Sequence, residues 1–336
     1  MSQINSRGAE QKPPNVKKDK GGRPSKGATR SKKTMGVSTE TATTIPAQIQ
    51  HPAPNPATNE KSGNLQFQTQ KLVCGQLEVA FSSDTGLVRE NNEDSVTAFL
   101  GIIPHTENTR ELQFGYLALA DGMGGHESGE VASNMAVRIS IQEVLSEFYL
   151  PLVGNKPSNQ TGEAPTEILT RIMEKVNQEI IKAGTSSTRS MGTTLTSVTL
   201  VGTMAYIGHI GDSRLYGLEK VNRQLRQLTQ DHSLVARMVE AGLITPQEAA
   251  DSPQRGVLYK SLGQRQGIVA DVDFIRISEF SHLLLCSDGL WEMVADDMIA
   301  QIMVEKNSPV EICRHLVQAA IDAGGFDNVS VLVIRF

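Results

Sequence analysis

Hydrophobic and polar residues alternate in several stretches from residue 71 onward, and a period of two is typical of half-buried strands. Alternation and short apolar runs predict strands at 71–86, 111–121, 193–219, 282–290 and 328–336. Within 193–219 the pattern breaks at Gly202 and Gly211, so this segment is predicted to contain three short strands.

Three other segments have the spacing of amphipathic helices: 127–149, 166–184 and 308–325. The first is predicted to bury Val131, Met135, Ile139 and Leu145, and the second Ile168, Ile172, Val176 and Ile180. Gly184 is expected to end the second helix. Because the strands come in adjacent runs with helices between them, the predicted fold class is α+β, with sheets packed on each other and helices outside.

The first 70 residues are of a different composition. They contain 11 Lys and Arg against 4 Asp and Glu, whereas residues 71–336 contain 21 against 33. No Phe, Tyr or Trp precedes Phe67, so this segment has too little apolar surface to offset the entropy of ordering. We therefore predict that residues 1–70 are a disordered, basic and Pro-rich extension and that residues 71–336 form the folded domain.

Composition also excludes several classes of protein. No apolar run approaches the roughly 18 residues of a membrane span, and the N-terminus lacks the apolar core of a signal peptide. Cys74, Cys286 and Cys313 lie far apart with no CxxC pair. This spacing favours reduced thiols and a cytoplasmic location over a disulfide framework or a zinc site.

Aspartates stand at the ends of the most apolar segments. Four such segments end at, or begin just after, Asp121, Asp212, Asp288 and Asp327, and an acidic pair, Glu93–Asp94, lies in GLVRENNEDSV. Strand ends at one rim of a sheet lie close together, and gathered carboxylates repel one another unless a cation neutralises them. Mg²⁺ and Mn²⁺ prefer such oxygen ligands, and Gly122 would let its carbonyl approach a metal without a Cβ in the way.

Each of these residues also has a simpler interpretation. An Asp-Gly pair is common in turns, Asp327 could cap or turn the chain, and Asp212 could form a surface ion pair with Arg214. Arg89 could present a planar fork of donors to a phosphate, or it could be a surface arginine after a turn. The repetition of one pattern at four apolar segments favours the metal site.

Seven motifs occur in the order seen in one enzyme family: GLVRENNEDS, ALADGMGGHESGEVAS, MGTTLTSV, IGHIGDSRLY, LTQDHSLV, LLLCSDGLWE and DNVSVLVI. Over about residues 75–336 the chain thus resembles the metal-dependent serine/threonine protein phosphatases of the PP2C (PPM) type, and its DGMGGH motif resembles the bacterial branch. The resemblance implies a monomeric, four-layer α-β-β-α sandwich of two antiparallel sheets flanked by helices. It also implies hydrolysis of phosphoserine and phosphothreonine in proteins, with a cognate Ser/Thr kinase as counterpart.

The resemblance further implies two Mg²⁺ or Mn²⁺ ions bridged by a water or hydroxide. Carried over by position, the first ion would be held by Asp121, Asp288 and Asp327, and the second by Asp121, the Gly122 carbonyl, Glu93 and Asp94. Arg89 would bind the substrate phosphate. Asp212 and Asp288 would hold a third, weaker ion, and residues 231–263 resemble the flap beside the cleft, read as two short helices around a turn at Thr245–Pro246.

The sequence departs from the family pattern at two positions. Animal-type members carry a histidine after the DG pair, proposed as a general acid, whereas this chain has Met123, which cannot donate a proton. His126 lies nearby, and a metal-bound water is another candidate acid. Some bacterial relatives carry a serine near the third metal where this chain has Gly256.

Other functions are less consistent with the residues. A pseudophosphatase, a binding module on the same fold, would be marked by loss of a metal ligand, yet Asp121, Asp288 and Asp327 are all present. The CxxxxxR signature of phosphocysteine enzymes is absent. The nearest approach to a kinase P-loop, GRPSKGA at 22–28, breaks at the lysine.

The basic segment 17–33 contains KGGRPSKG, which resembles an AT-hook that enters the minor groove of A·T-rich DNA. A solvated basic tail that contacts another acidic partner or anionic lipid is the alternative. If the segment binds DNA, a peptide of residues 1–70 should shift an A·T-rich duplex in a salt-dependent manner, and Arg23→Ala should abolish the shift. A gel shift that changes neither with salt concentration nor with the Arg23→Ala substitution would contradict this interpretation.

Overall fold

The computed structural model describes residues 68–103, 111–124, 127–154, 163–187 and 191–336. Its strands, numbered in chain order, form two antiparallel sheets. The first sheet has the order β1 (Gln70–Cys74), β2 (Leu77–Asp84), β12 (Val329–Arg335), β11 (Phe280–Cys286), β8 (Arg214–Glu219) and β9 (Leu225–Gln227). The second has the order β10 (Asp271–Arg276), β7 (Met204–Ile210), β6 (Leu195–Val201), β4 (Leu112–Met123) and β3 (Asp94–Ile103), with β5 (Gly192–Thr193) beside the end of β4.

Helices cover the outer face of each sheet. The second sheet is covered by α1 (Glu127–Val144) and α3 (Pro165–Ser187), with a π-helical segment (Leu145–Tyr149) and α2 (Leu150–Val153) between them. The first sheet is covered by α6 (Asp288–Trp291), α7 (Asp296–Glu305) and α8 (Pro309–Asp322). The flap contains α4 (Leu234–Glu240) and α5 (Pro246–Ala250).

Side-chain alternation along the strands separates three hydrophobic layers. On β4, Phe114 and Tyr116 face the helices, whereas Leu117 and Leu119 face the other sheet. On β12, Val331 and Val333 face α8 in the same way, whereas Leu332 and Ile334 enter the layer between the sheets. Strands buried on both faces must be apolar at nearly every position, which explains their continuous hydrophobic runs. The predicted four-layer sandwich is confirmed.

Several details of the sequence-based prediction are wrong. Val131 is 46% exposed, because α1 buries its small residues Ala132 and Ala136 against the sheet and thereby approaches it closely. The segment 71–86 forms two strands rather than one, since Gly75 has a positive φ of 60° and turns the chain. Helix α3 does not stop at Gly184 but continues to Ser187, while its four predicted core residues are buried.

The flap has the local structure that its sequence indicates. Ser233 caps α4 by accepting the backbone N–H of Ala236 at 3.2 Å, and Thr245 forms a capping box with Glu248 at the start of α5. The two ends of the flap are joined by a hydrogen bond from the Leu234 N–H to the Val257 carbonyl at 2.7 Å. The flap is thus anchored at its base.

Two predictions concern the N-terminal extension. Residues 1–67 lie outside the described residues, so the domain boundary at residue 70 and the role of segment 17–33 stay predictions.

Within the described residues, none of the helices combines the length and the apolar character needed to cross a membrane.

The layer between the sheets should dominate stability. Leu332 is fully buried in that layer, so Leu332→Ala should lower the free energy of unfolding by about 2–5 kcal/mol through lost burial and a cavity. Urea denaturation followed by circular dichroism measures this change. Leu243→Ala is a matched control, because Leu243 is 71% exposed, and it should change stability by about 0.5 kcal/mol or less. Similar losses in both variants would contradict the layer assignment.

Candidate metal centre

Four predicted ligands meet at one edge of the two packed sheets. Asp94 begins β3 and lies directly opposite Asp121 near the end of β4. In the other sheet, Asp288 follows the end of β11, and Asp327 precedes the start of β12. The antiparallel register places the end of β11 beside the start of β12, so these aspartates approach the same edge. The predicted convergence of strand ends therefore occurs.

The carboxylates at this edge repel one another electrostatically. Desolvation is the main cause that raises the pKa of Asp121 well above its usual value, and the negative charges of Asp94 and Asp288 raise it further. Desolvation is also the main cause that raises the pKa of Asp288, and the negative charge of Asp212 raises it further. Desolvation also raises the pKa of Asp94 to about 6, despite the hydrogen bond from Ser287 that acts in the opposite direction. A cluster of this kind favours a bound cation.

Hydrogen bonds leave part of this cluster unsatisfied. The Ser287 hydroxyl donates to Asp94 Oδ2 at 2.8 Å, and the same hydroxyl oxygen accepts the Ser330 N–H at 2.9 Å. Among the described residues, Asp94 Oδ1 and Asp288 Oδ1 are buried without a hydrogen-bond partner. Buried oxygens of this kind are costly unless a ligand satisfies them.

Glu93 and Gly122 lie beside each other, and their roles as ligands of one ion stay predictions. The Gly122 N–H donates to the Glu93 carbonyl at 3.1 Å. A Cβ built on Gly129 would overlap Glu93 Oε2 and lie 2.9 Å from the Gly122 carbonyl carbon, so the carboxylate and this peptide group border one small space. Gly122 has a second physical reason to be glycine, because a Cβ there would overlap the backbone of Gly129.

Arg89 is not a free surface arginine. Its Nη2 donates to Asp327 Oδ2 at 2.6 Å, and this hydrogen bond is the main cause that raises the Arg89 pKa. The guanidinium side chain is 55% exposed, so it keeps donors that face solvent beside the carboxylates. Asp327 also accepts the Asn328 N–H through Oδ1 at 2.8 Å, so its simpler interpretation as a turn residue holds as well.

Three neutral polar residues that the sequence analysis did not assign to the site hold its parts in place. The Asn328 side chain accepts the Glu93 N–H at 2.8 Å and donates to the Thr85 and Asn91 carbonyls at 2.9 Å. Thr194 accepts the Asp121 N–H at 2.8 Å through its hydroxyl, and Ser287 is the third. Each stands within one of the motifs quoted above, and a position beside an aspartate was an available signal for Ser287 and Asn328 but not for Thr194.

Asp212 lies close enough to contribute to the cluster. It is 6% exposed, and its pKa is raised to about 7, mainly by desolvation and next by the negative charge of Asp231. Arg214 forms its ion pair with Asp231, at 2.7 Å, rather than with Asp212, and its guanidinium lies 3.7 Å from the centre of the Trp291 ring. The alternative in which Asp212 pairs with Arg214 at the surface is therefore wrong.

The donor set fits hard divalent cations. It consists of carboxylate and carbonyl oxygens, and two of its buried oxygens lack a partner within the described part of the chain. In that part, no group of three or more His, Cys, Asp or Glu side chains is arranged to hold a metal as it stands. Asp327 Oδ2 accepts from Arg89, and Asp94 Oδ2 accepts from Ser287.

Comparison with known proteins decides the family. The protein-family model described as Protein phosphatase 2C matches residues 105–315. The chain is 33% identical over 260 residues to the protein phosphatase PhpP of Streptococcus pneumoniae, an alignment that covers 77% of this chain and 97% of the relative. The chain belongs to the protein phosphatase 2C family. The family predicted from the seven motifs is confirmed, and with it the class of metal-dependent protein phosphatases.

Solved structures of the protein phosphatase 2C family share the fold of this chain. The serine/threonine phosphatase PstP/Ppp of Mycobacterium tuberculosis matches with a TM-score of 0.63 and 32% identity, covering 77% of this chain and 98% of that one. A structure of the PstP catalytic domain in complex with two manganese ions matches with a TM-score of 0.61 and 31% identity, covering 77% and 97%.

The two departures from the protein phosphatase 2C pattern are visible in the structure. Met123 Sδ accepts a long hydrogen bond from Gln264 Nε2 at 3.7 Å, so the residue after the DG pair contacts a neutral amide. His126 lies outside the described residues. Gly256 faces open space, since a Cβ built there would meet no atom within 4 Å. The third ion and the general acid both stay predictions.

The repulsion within the cluster predicts an unusual stability change. A carboxyl whose pKa is raised on folding destabilises the fold once it is ionised, so Asp121→Asn should stabilise the metal-free protein at pH 8 by about 1–3 kcal/mol. The gain should disappear as the pH falls toward about 4, because both side chains are then neutral.

Urea denaturation in EDTA across this pH range measures the effect. Asp251→Asn serves as the control, because Asp251 is an exposed flap residue that only accepts from Gln247 at 3.1 Å, and no pH-dependent gain is expected from it. A metal-free Asp121→Asn protein that is less stable than the wild type at pH 8 would show that the cluster is not repulsive.

Proposed function

We propose that this protein hydrolyses phosphoserine and phosphothreonine in proteins at the edge where Asp94, Asp121, Asp288 and Asp327 meet. The observation that carries the proposal is the gathering of these carboxylates beside Arg89 in a chain of this family. Asp121, Asp288 and Asp327 would hold one Mg²⁺ or Mn²⁺ ion, and Asp121, the Gly122 carbonyl, Glu93 and Asp94 would hold the other. When bound, such ions neutralise the phosphate and lower the pKa of the attacking water.

The residues of the chain bind and orient the substrate. The exposed donors of Arg89 suit two oxygens of a phosphate dianion, and the Asp327 carboxylate keeps the guanidinium directed at the cluster. Thr193 and Thr194 fix the backbone of Asp121: the Thr193 hydroxyl donates to its carbonyl at 2.8 Å, and the Thr194 hydroxyl accepts its N–H. Fixed groups need no reorganisation when charge develops on the phosphoryl oxygens, which favours the transition state.

A covalent route through cysteine has no support in the site. Cys286 and Cys313 are buried, and burial raises the pKa of both thiols, so neither is a thiolate at neutral pH. Cys74 lies on β1, away from the aspartates at the edge. Direct attack by water is therefore the mechanism that the residues favour.

The substrate class and setting follow from this chemistry. Phosphoproteins made by Ser/Thr kinases would supply the substrate, and a kinase of the same cell would be the counterpart of this enzyme. The three free cysteines are consistent with the predicted cytoplasmic location.

The proposal predicts metal-dependent turnover that depends on Asp121. The full-length protein should hydrolyse an aryl phosphate and a phosphothreonine peptide with Mn²⁺, and EDTA should abolish both reactions. Asp121→Asn should lower kcat by about 100-fold or more, because charge stabilisation worth several kcal/mol is lost. Arg89→Ala should lower kcat/KM by about 10- to 100-fold, the value of one or two charge-assisted hydrogen bonds.

Arg276→Ala is the matched control for Arg89→Ala, because Arg276 is an exposed arginine on β10, the edge strand of the second sheet. Its kcat/KM should stay within about twofold of the wild type. Activity that resists EDTA, or full activity of Asp121→Asn, would reject the proposed function.

A further inference from the structure

Three large apolar side chains are exposed on the loops that carry Arg89 and Asp327. Leu87, Val88 and Phe326 are 63%, 60% and 59% exposed. Single exposed apolar residues are common on protein surfaces and need no explanation. Here three of them occur within two residues of the proposed phosphate-binding arginine or of a proposed metal ligand. We refer to Leu87, Val88 and Phe326 as the apolar rim.

Backbone contacts place the two loops of the apolar rim side by side. The Leu87 N–H donates to the Gly325 carbonyl at 2.8 Å. Gly86 has a φ of 80°, and a Cβ on it would overlap the carbonyl of Asp327, so the loops touch without intervening side chains. A Cβ built on Gly325 would lie only 3.2 Å from Leu87 Cγ, and the Phe326 ring lies over Gly324.

The side chains of the apolar rim are not needed to build the domain. None of the three belongs to the hydrophobic layers formed by the described residues or packs against them. The position of the loops is set instead by the Asn328 amide, which bonds the carbonyls of Thr85 and Asn91, and by the Arg89–Asp327 ion pair. Their apolar surface is therefore available to a ligand.

A peptide bound at the site must pass close to this rim. If the phosphate of a phosphoresidue contacts Arg89, residues one or two positions away lie about 3–7 Å further along an extended chain. Leu87 and Val88 directly precede Arg89, and Phe326 directly precedes Asp327, so the rim lies within that reach. The rim continues the surface on which the proposed substrate binds.

We propose that the apolar rim binds an apolar side chain of the phosphoprotein substrate within about two residues of the phosphoserine or phosphothreonine. The proposal rests on the proposed function, and it makes Leu87, Val88 and Phe326 residues that determine specificity. A second copy of the chain is a poorer occupant, because three side chains are far fewer than the roughly 20–30 residues a side of a standard interface. Burying one leucine-sized side chain should favour a matching substrate by about 10-fold in kcat/KM.

The proposal can be tested with two phosphothreonine peptides. They differ only at the four positions that flank the phosphoresidue, which are all Leu in one peptide and all Ser in the other. With the full-length protein and Mn²⁺, the ratio of kcat/KM for the Leu peptide over the Ser peptide should be about 10, arising mainly from KM. Leu87→Ser and Phe326→Ser should each lower the ratio, Val88→Ser should lower it less, and the Leu87→Ser/Phe326→Ser double variant should bring it close to 1.

Phe274→Ser is the matched control, because Phe274 is a 56% exposed phenylalanine on β10, and it should keep the wild-type ratio. A wild-type ratio near 1 overturns the proposal. A double variant that slows hydrolysis of both peptides equally also overturns it, because the rim side chains would then only support the structure of the loops. Rim variants that change sedimentation of the protein but not the ratio would overturn it in favour of a second copy as occupant. If neither peptide is hydrolysed, the proposed function itself fails, whereas equal hydrolysis of both refutes only the rim.

Discussion

Negative charges held close together at the edge of two packed sheets are the constraint on which the rest of this domain depends. Asp121 and Asp288 carry raised pKa values because they are desolvated and face other carboxylates. Such an arrangement lowers stability by itself, so it requires a scaffold stable enough to hold it. Three hydrophobic layers, each closed by strands or helices on both sides, supply that stability.

Neutral polar residues connect the scaffold to the charged groups. Ser287, Thr194 and Asn328 are buried, and each bonds both to the backbone and to part of the site. Because they carry no charge, they fix the geometry without cancelling the negative field that a cation would feel. Arg89 is the exception, and its ion pair with Asp327 is exposed enough for a phosphate to compete for it.

In the proposed arrangement, the same loops would serve both chemistry and recognition. Backbone contacts and the Asn328 amide hold residues 86–89 and 324–327, so the apolar side chains of these loops can face the substrate. The flap, in contrast, depends on helix caps and a bonded base, and its Gly256 faces open space. Recognition in this domain would therefore combine a fixed apolar rim with the flap, which also contacts the rest of the domain through the Arg255–Glu292 ion pair and backbone hydrogen bonds between Leu262 and Thr193.

The sequence by itself determined the fold class and the family, and it singled out the acidic residues of the proposed site, because these depend on local patterns and on motif order. Continuous apolar strands and the aspartates at their ends can be recognised directly in the order of the residues. The face buried by α1 was predicted only in part: Met135, Ile139 and Leu145 pack against the core, but Val131 is exposed, and the buried Ala132 and Ala136 carry little weight in a hydrophobic pattern. The tertiary structure alone decided that Arg89 pairs with Asp327, that Arg214 pairs with Asp231, and that Leu87 lies beside Gly325. Such pairs join residues that are separated in the chain, and only the packing of the strands and loops brings them within reach.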